Sequence, residues 1–155
     1  MSLEDLYKEV ILDHYKKPRN KRDIESATVS CRRNNPLCGD EITIAAQIEG
    51  DLIADIGFDG QGCSISMASA SMLTDALKGK TTGEAEKVAA GFRGMMSGEL
   101  EPDEDAFGEL VALKGVVKYP VRIKCAVLAW DVFQEALETG GASEGSASGS
   151  APHGG

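Results

Sequence analysis

Apolar and aromatic residues recur at intervals of three and four through Leu3, Leu6, Tyr7, Val10 and Ile11, with His14 next in the series and charged residues between them. That periodicity predicts an amphipathic helix, which Pro18 ends. Beyond a polar connection, Ala27 to Cys31, Glu41 to Ile48 and Leu52 to Phe58 read as strands, the second alternating Ile42, Ile44, Ala46 and Ile48 on one face. Glu49-Gly50-Asp51 is a hairpin turn, so the three strands are expected to form an antiparallel meander.

The period then returns to that of a helix. Asp59-Gly60-Gln61-Gly62 is a glycine-rich bend, and Cys63 to Leu77 is rich in small residues and methionine, as a close-packed helix requires, with Gly79 as its stop. Cys63 would stand at that helix's N-terminus. Thr82 is expected to cap the next helix, with Ala85, Val88, Ala89, Phe92 and Met96 on its inner face. An acidic stretch, Glu99 to Asp105, and a short helical piece, Phe107 to Leu113, lead to a last helix from about Pro120 to Glu138. Arg122 and Cys125, three apart, share a face there. The fold class expected is α+β, a small antiparallel three-stranded sheet packed against helices. One domain, residues 1–139, is followed at 140–155 by a Gly/Ser-rich segment read as a disordered tail.

Composition narrows the function classes. The 155 residues are 42% hydrophobic with no long apolar run, and neither a signal peptide nor a membrane span is apparent, which argues for the cytoplasm. A formal net charge of −9, with only short basic runs at Lys16 to Arg22 and at Arg32-Arg33, speaks against a nucleic-acid partner. The four cysteines are too sparse for a disulfide framework, so reduced thiols serving as ligands or nucleophiles are expected.

Cys38, Asp40 and Cys63 lie in glycine-containing segments, and Cys125 lies on the last helix; no CxxC pair is present, so spacing alone is a weak metal signal. Cys31, on a strand, reads as a core or half-exposed thiol, and His14 as a packing or hydrogen-bonding residue near the sheet. Met67, Met72, Met95 and Met96 suit core packing or a partner-binding patch.

Four blocks occurring in order carry a resemblance: Val10-Ile11-Leu12-Asp13-His14-Tyr15-Lys16-Lys17-Pro18-Arg19-Asn20, Asn35-Pro36-Leu37-Cys38-Gly39-Asp40, Gly60-Gln61-Gly62-Cys63-Ser64-Ile65-Ser66 and Arg122-Ile123-Lys124-Cys125-Ala126. Together they resemble the NifU N-terminal-like family of iron–sulfur cluster assembly proteins, which includes the IscU and SufU types, over roughly residues 3 to 138. Lys124 stands where the IscU type has a histidine, and the segment from about Ser97 to Val116 is similar to an insertion of the SufU type. The resemblance therefore points to the SufU branch.

It implies one zinc ion held by Cys38, Asp40, Cys63 and Cys125. It also implies a pyridoxal-phosphate cysteine desulfurase of the SufS kind as partner, with Cys38 accepting its persulfide sulfur and downstream iron–sulfur assembly proteins receiving it. Arg122 would pair with Asp40 or steady the anionic sulfur. Two other readings stay open: a scaffold on which the same residues hold iron or a transient [2Fe–2S] cluster, and a structural zinc protein.

Overall fold

A computed structural model describes residues 3–22, 24, 27–35, 39–101, 107–139 and 142–146. In chain order these form α1 (Leu3–Lys16), β1 (Val29–Asn35), β2 (Asp40–Glu49), β3 (Leu52–Gln61), α2 (Ser64–Leu77), α3 (Thr82–Ser97), a 3-10 helix (Gly108–Val116), α4 (Pro120–Thr139) and β4 (Ala142–Ser146). The sheet order is β3-β2-β1-β4. The first three strands pair antiparallel, as the alternating pattern predicts, and β4 adds to β1 in parallel.

β2 shows how sequence positions the site. Asp40, Ile42, Ile44 and Ala46 alternate with partly exposed residues, so all four face the helices. The carboxylate of Asp40 is thus carried into the protein by the same pleat that buries the isoleucines. Opposite, Ile53, Ile56 and Phe58 of β3 complete a core with Leu73 and Leu77 of α2, Phe92 of α3, and Trp130 and Phe133 of α4. Phe92 and Trp130 stack with ring centroids 4.5 Å apart. The Trp130 indole N–H donates to Ser69 Oγ at 3.2 Å, and Ser69 donates to the Ala126 carbonyl at 2.6 Å, fixing α2 against α4 through satisfied buried polar groups. Met67, Met72, Met95 and Met96 are all buried in this core.

The structure departs from the sequence reading at three places. β1 begins at Val29 and runs on to Asn35, which pairs with Asp40; the polar Arg32 to Asn35 give no strand signal, and backbone pairing with β2 carries them. Thr81, not Thr82, caps α3, because only Thr81 stands three residues before Glu84. Glu84 N–H donates to Thr81 Oγ1 at 3.1 Å while Thr81 N–H donates to Glu84 Oε1 at 2.9 Å, a reciprocal capping box. Finally, the expected tail from 140 onward contains β4. Parallel pairing of Ala142–Ser146 with Ser30–Asn34 needs only main-chain donors and acceptors, so a Gly/Ser-rich segment without hydrophobic alternation can still form it.

Cys31 is buried and donates to Glu135 Oε2 at 2.6 Å, with the Arg33 guanidinium 3.4 Å from the same oxygen. It is therefore a core thiol. His14 is buried on the helical side, not against the sheet: its Nδ1 bonds Ser71 Oγ at 2.8 Å and its Nε2 bonds Glu109 Oε1 at 2.9 Å. Among the described residues no helix is long and apolar enough to cross a membrane.

Candidate metal centre

Three elements bring three donors together. Asp40 opens β2, Cys63 is the N-cap of α2, and Cys125 lies in the second turn of α4; one ligand atom from each falls within 4.8 Å of the others. Asp40 and Cys125 are buried and Cys63 is half-buried.

The local backbone explains the convergence. Gly60 has φ of +142°, and a Cβ there would stand 2.0 Å from the Glu41 carbonyl, so the end of β3 approaches β2 as only glycine allows. Gly62 is constrained differently: a Cβ on it would lie 2.3 Å from Asp40 Oδ1 and 2.9 Å from Ser66 Oγ. The bare Cα is what makes room for the carboxylate. Asp40 Oδ1 then accepts the Cys63 N–H at 2.8 Å, satisfying one of the free donors at the start of α2, while Oδ2 lies 3.7 Å from Cys63 Sγ.

An N-cap side chain ordinarily turns back to accept a backbone N–H of the first turn. Cys63 makes no such bond. Its sulfur is directed instead toward Asp40 Oδ2 and, at 3.6 Å, Ser66 Oγ, whose hydroxyl donates to the Cys63 carbonyl at 3.1 Å. Cys125 Sγ lies 3.7 Å from the Val121 carbonyl.

This donor set fits zinc. Thiolates about 2.3 Å and a carboxylate oxygen about 2.0 Å from a tetrahedral ion lie roughly 3.5–3.8 Å apart. The three donors need to close by only about 1 Å from their present spread to meet that requirement. With Oδ1 held by the Cys63 N–H, Asp40 offers Oδ2, and so one oxygen rather than a bidentate carboxylate. A soft, partly anionic set of this kind suits zinc or iron and disfavours magnesium or calcium.

Cys38, the fourth expected ligand, lies outside the described residues. Arg122 is described, and it does not form the expected pair with Asp40. Its side chain is exposed beside Ser64, Ile65, Tyr7 and Tyr119, along an apolar groove of about 330 Å³. The spacing of three does place Arg122 and Cys125 near one face, but a long cationic side chain on the first turn reaches water more cheaply than the interior. Ser66 and Gly62 are site residues that sequence reasoning missed. Their signal is the spacing Gly62-Cys63-x-x-Ser66, in which the serine sits one turn after the thiol.

The chain is similar to proteins already known. A profile of the NifU-like N terminal domain matches residues 6–126. The zinc-dependent sulfurtransferase SufU of Bacillus subtilis (strain 168) is 48% identical over 143 residues, covering 92% of this chain and 94% of that protein. The iron–sulfur cluster assembly scaffold protein IscU of Streptococcus pyogenes serotype M1 is 42% identical, covering 88% and 85%. A crystal structure from Fervidobacterium islandicum AW-1, titled as a candidate iron–sulfur cluster assembly scaffold protein for the SUF system, superposes with a TM-score of 0.79 at 35% identity, covering 88% of this chain and 99% of that one.

Proposed function

This chain belongs to the NifU-like N-terminal domain family of iron–sulfur cluster assembly, and from that premise we propose that it is a zinc-dependent sulfur-transfer protein. In this reading it accepts persulfide sulfur from a pyridoxal-phosphate cysteine desulfurase on Cys38 and passes it to downstream iron–sulfur assembly proteins. The observation that carries the reading is the convergence of Asp40, Cys63 and Cys125 within 4.8 Å. Cys38 follows from chain connectivity: two residues from Asp40, its Cα lies within about 7 Å of Asp40's. A zinc ion held by these residues supplies the Lewis acidity that keeps coordinated thiols in the thiolate form.

The chemistry of the chain is then nucleophilic. The Cys38 thiolate attacks the outer sulfur of the donor's persulfide; a new S–S bond forms, the old one breaks, and the donor's cysteine leaves as a thiolate with its electron pair. No external oxidant or reductant is needed. Asp40, Cys63 and Cys125 are the three residues that would hold the ion independently of Cys38. Arg122, exposed on the groove beside Ser64, steadies the incoming anionic sulfur.

Incubation of the protein with a desulfurase and cysteine, read by intact mass, tests the assignment. The wild-type chain gains one sulfur atom and Cys38→Ser gains none, while the desulfurase still forms its own persulfide. A Cys38→Ser chain that still takes up sulfane sulfur removes Cys38 from the mechanism. A second reading, assembly of a transient [2Fe–2S] cluster on the same residues, is favoured by the similarity to a protein named as an IscU scaffold. Visible absorption with iron and acid-labile sulfide in the isolated protein would put that reading first, since a zinc protein is colourless.

A further inference from the structure

Ser66 is fully buried, and among the described residues the only hydrogen-bond partners of its hydroxyl are two atoms of one residue: the Cys63 carbonyl at 3.1 Å and Cys63 Sγ at 3.6 Å. The hydroxyl therefore has no task except toward Cys63. We infer that Ser66 is a positioning residue for the metal-bound sulfur of Cys63: its O–H donates to the Cys63 thiolate when the ion is held, and so sets both the orientation and the donor strength of that ligand. The inference rests on the metal-site reading above and adds an outer partner to it.

Two acceptors on Cys63 compete for the Ser66 proton. A serine hydroxyl has a single proton and two lone pairs. In the structure the proton goes to the neutral Cys63 carbonyl, and the thiol S–H has Ser66 Oγ and Asp40 Oδ2 as acceptors. Sulfur bound to a metal has no proton to donate and carries negative charge. A charge-assisted hydrogen bond is roughly twice as strong as a neutral one, so the thiolate outcompetes the carbonyl for the hydroxyl. Burial of Ser66 strengthens the preference, because a hydrogen bond to a charged acceptor is stronger in low-dielectric surroundings.

Rotation about one bond suffices to redirect the proton. Gly62 contributes the space, since a Cβ there would crowd Ser66 Oγ at 2.9 Å as well as Asp40 Oδ1 at 2.3 Å. Asp40 from β2 and Ser66 from α2 thus both serve Cys63: the carboxylate takes its N–H and the hydroxyl its sulfur.

The test compares wild type, Ser66→Ala and Ser69→Ala in the full chain. Ser69 is an equally buried serine on α2 that bonds the Ala126 carbonyl and Trp130, and so controls for the loss of a buried hydroxyl as such. Zinc affinity is measured by chelator competition, and Co²⁺ replaces zinc as a spectroscopic probe. Ser66→Ala is expected to weaken zinc on the order of tenfold, the range typical of outer partners of metal ligands. It is also expected to move the sulfur-to-cobalt charge-transfer band to longer wavelength, because losing the hydrogen bond raises the filled sulfur orbitals. Ser69→Ala is expected to lower thermal stability and leave the band in place. Wild-type metal binding with Ser66→Ala unchanged in affinity and band overturns the inference and leaves the site reading intact, as does an equal band shift in Ser69→Ala. A wild-type chain that takes up neither Zn²⁺ nor Co²⁺ overturns both.

Discussion

At its N-terminal end α2 presents Cys63 and Ser66 toward Asp40 and Cys125, and about two turns further along it presents Ser71 toward His14 and Glu109. Both clusters have buried members, Asp40, Ser66 and Cys125 in the first and His14 and Ser71 in the second, both join three elements, and both include a serine. In the second cluster nitrogen and oxygen atoms are linked into a chain of hydrogen bonds. Ser71 Oγ accepts the Arg19 backbone N–H at 2.8 Å, His14 Nδ1 and Nε2 are both engaged, and Arg19 in turn bonds Asp13 at 2.6 Å. The first cluster gathers two sulfurs, weak donors and weak acceptors, around a carboxylate. Closed hydrogen-bond chains hold a fold together; soft donors aimed at one point hold an ion.

The largest effects should come from the first cluster and should concern metal rather than folding. Asp40→Ala and Cys125→Ser each remove one donor of three from the described set. Zinc retained against a chelator is expected to fall by more than the roughly 10–100-fold typical of losing an outer partner. Elemental analysis beside circular dichroism reads both sides. If either variant keeps a full complement of zinc, the site has been wrongly drawn.

The second cluster should respond in the opposite sense. His14→Ala deletes two hydrogen bonds, leaves Ser71 with a lost partner and opens a void, a combination expected to cost about 2–4 kcal/mol in urea unfolding. Zinc stoichiometry should not change. Loss of zinc in His14→Ala would mean that the clusters act as one, and the contrast between them would dissolve.

Gly62→Ala tests the boundary. Its Cβ would meet Asp40 Oδ1 at 2.3 Å, so the carboxylate or the bend must shift. Overpacking of this kind is expected to cost about 1–3 kcal/mol and to weaken zinc at the same time. A variant that lost stability with unchanged zinc affinity would show that Asp40 need not be held where Gly62 leaves room for it.

How much of this was legible beforehand depends on the kind of signal. α1 and α4 were readable because their apolar residues repeat at helical spacing, α2 because its small residues and methionines suit a close-packed helix stopped at Gly79, and β2 because Ile42, Ile44 and Ala46 alternate. The far half of β1 and all of β4 were not, since main-chain pairing leaves no trace in side-chain polarity. For the site, Asp40, Cys63 and Cys125 emerged from a joint resemblance; their separations along the chain carried little by themselves. Ser66 and Gly62 matter through distances to atoms on other elements, which no local pattern encodes. Arg122 stands on α4 as the helical spacing predicts, with its side chain exposed along the groove rather than paired with Asp40, because periodicity fixes a face and not the direction a long side chain takes.

The smallest effect lies far from both clusters and calibrates them. Asp55, partly exposed on β3, accepts a hydrogen bond from the Arg22 guanidinium at 2.7 Å, and this above all holds its carboxyl below the ordinary value; partial burial opposes the shift, while the Ile56 N–H and Lys78 assist it. A depressed native value means that the unfolded chain takes up the proton first on acidification. The contribution to stability is therefore present above the unfolded value of about 3.9 and is lost as pH falls through the lower native one. Asp55→Asn is expected to cost about 0.5 kcal/mol at neutral pH, as exposed ion pairs do, with the difference from wild type vanishing at the acid end of a pH series of urea melts. A difference that persisted there would assign the effect to packing rather than to the charge on Asp55, because an asparagine oxygen still accepts the Ile56 N–H bond.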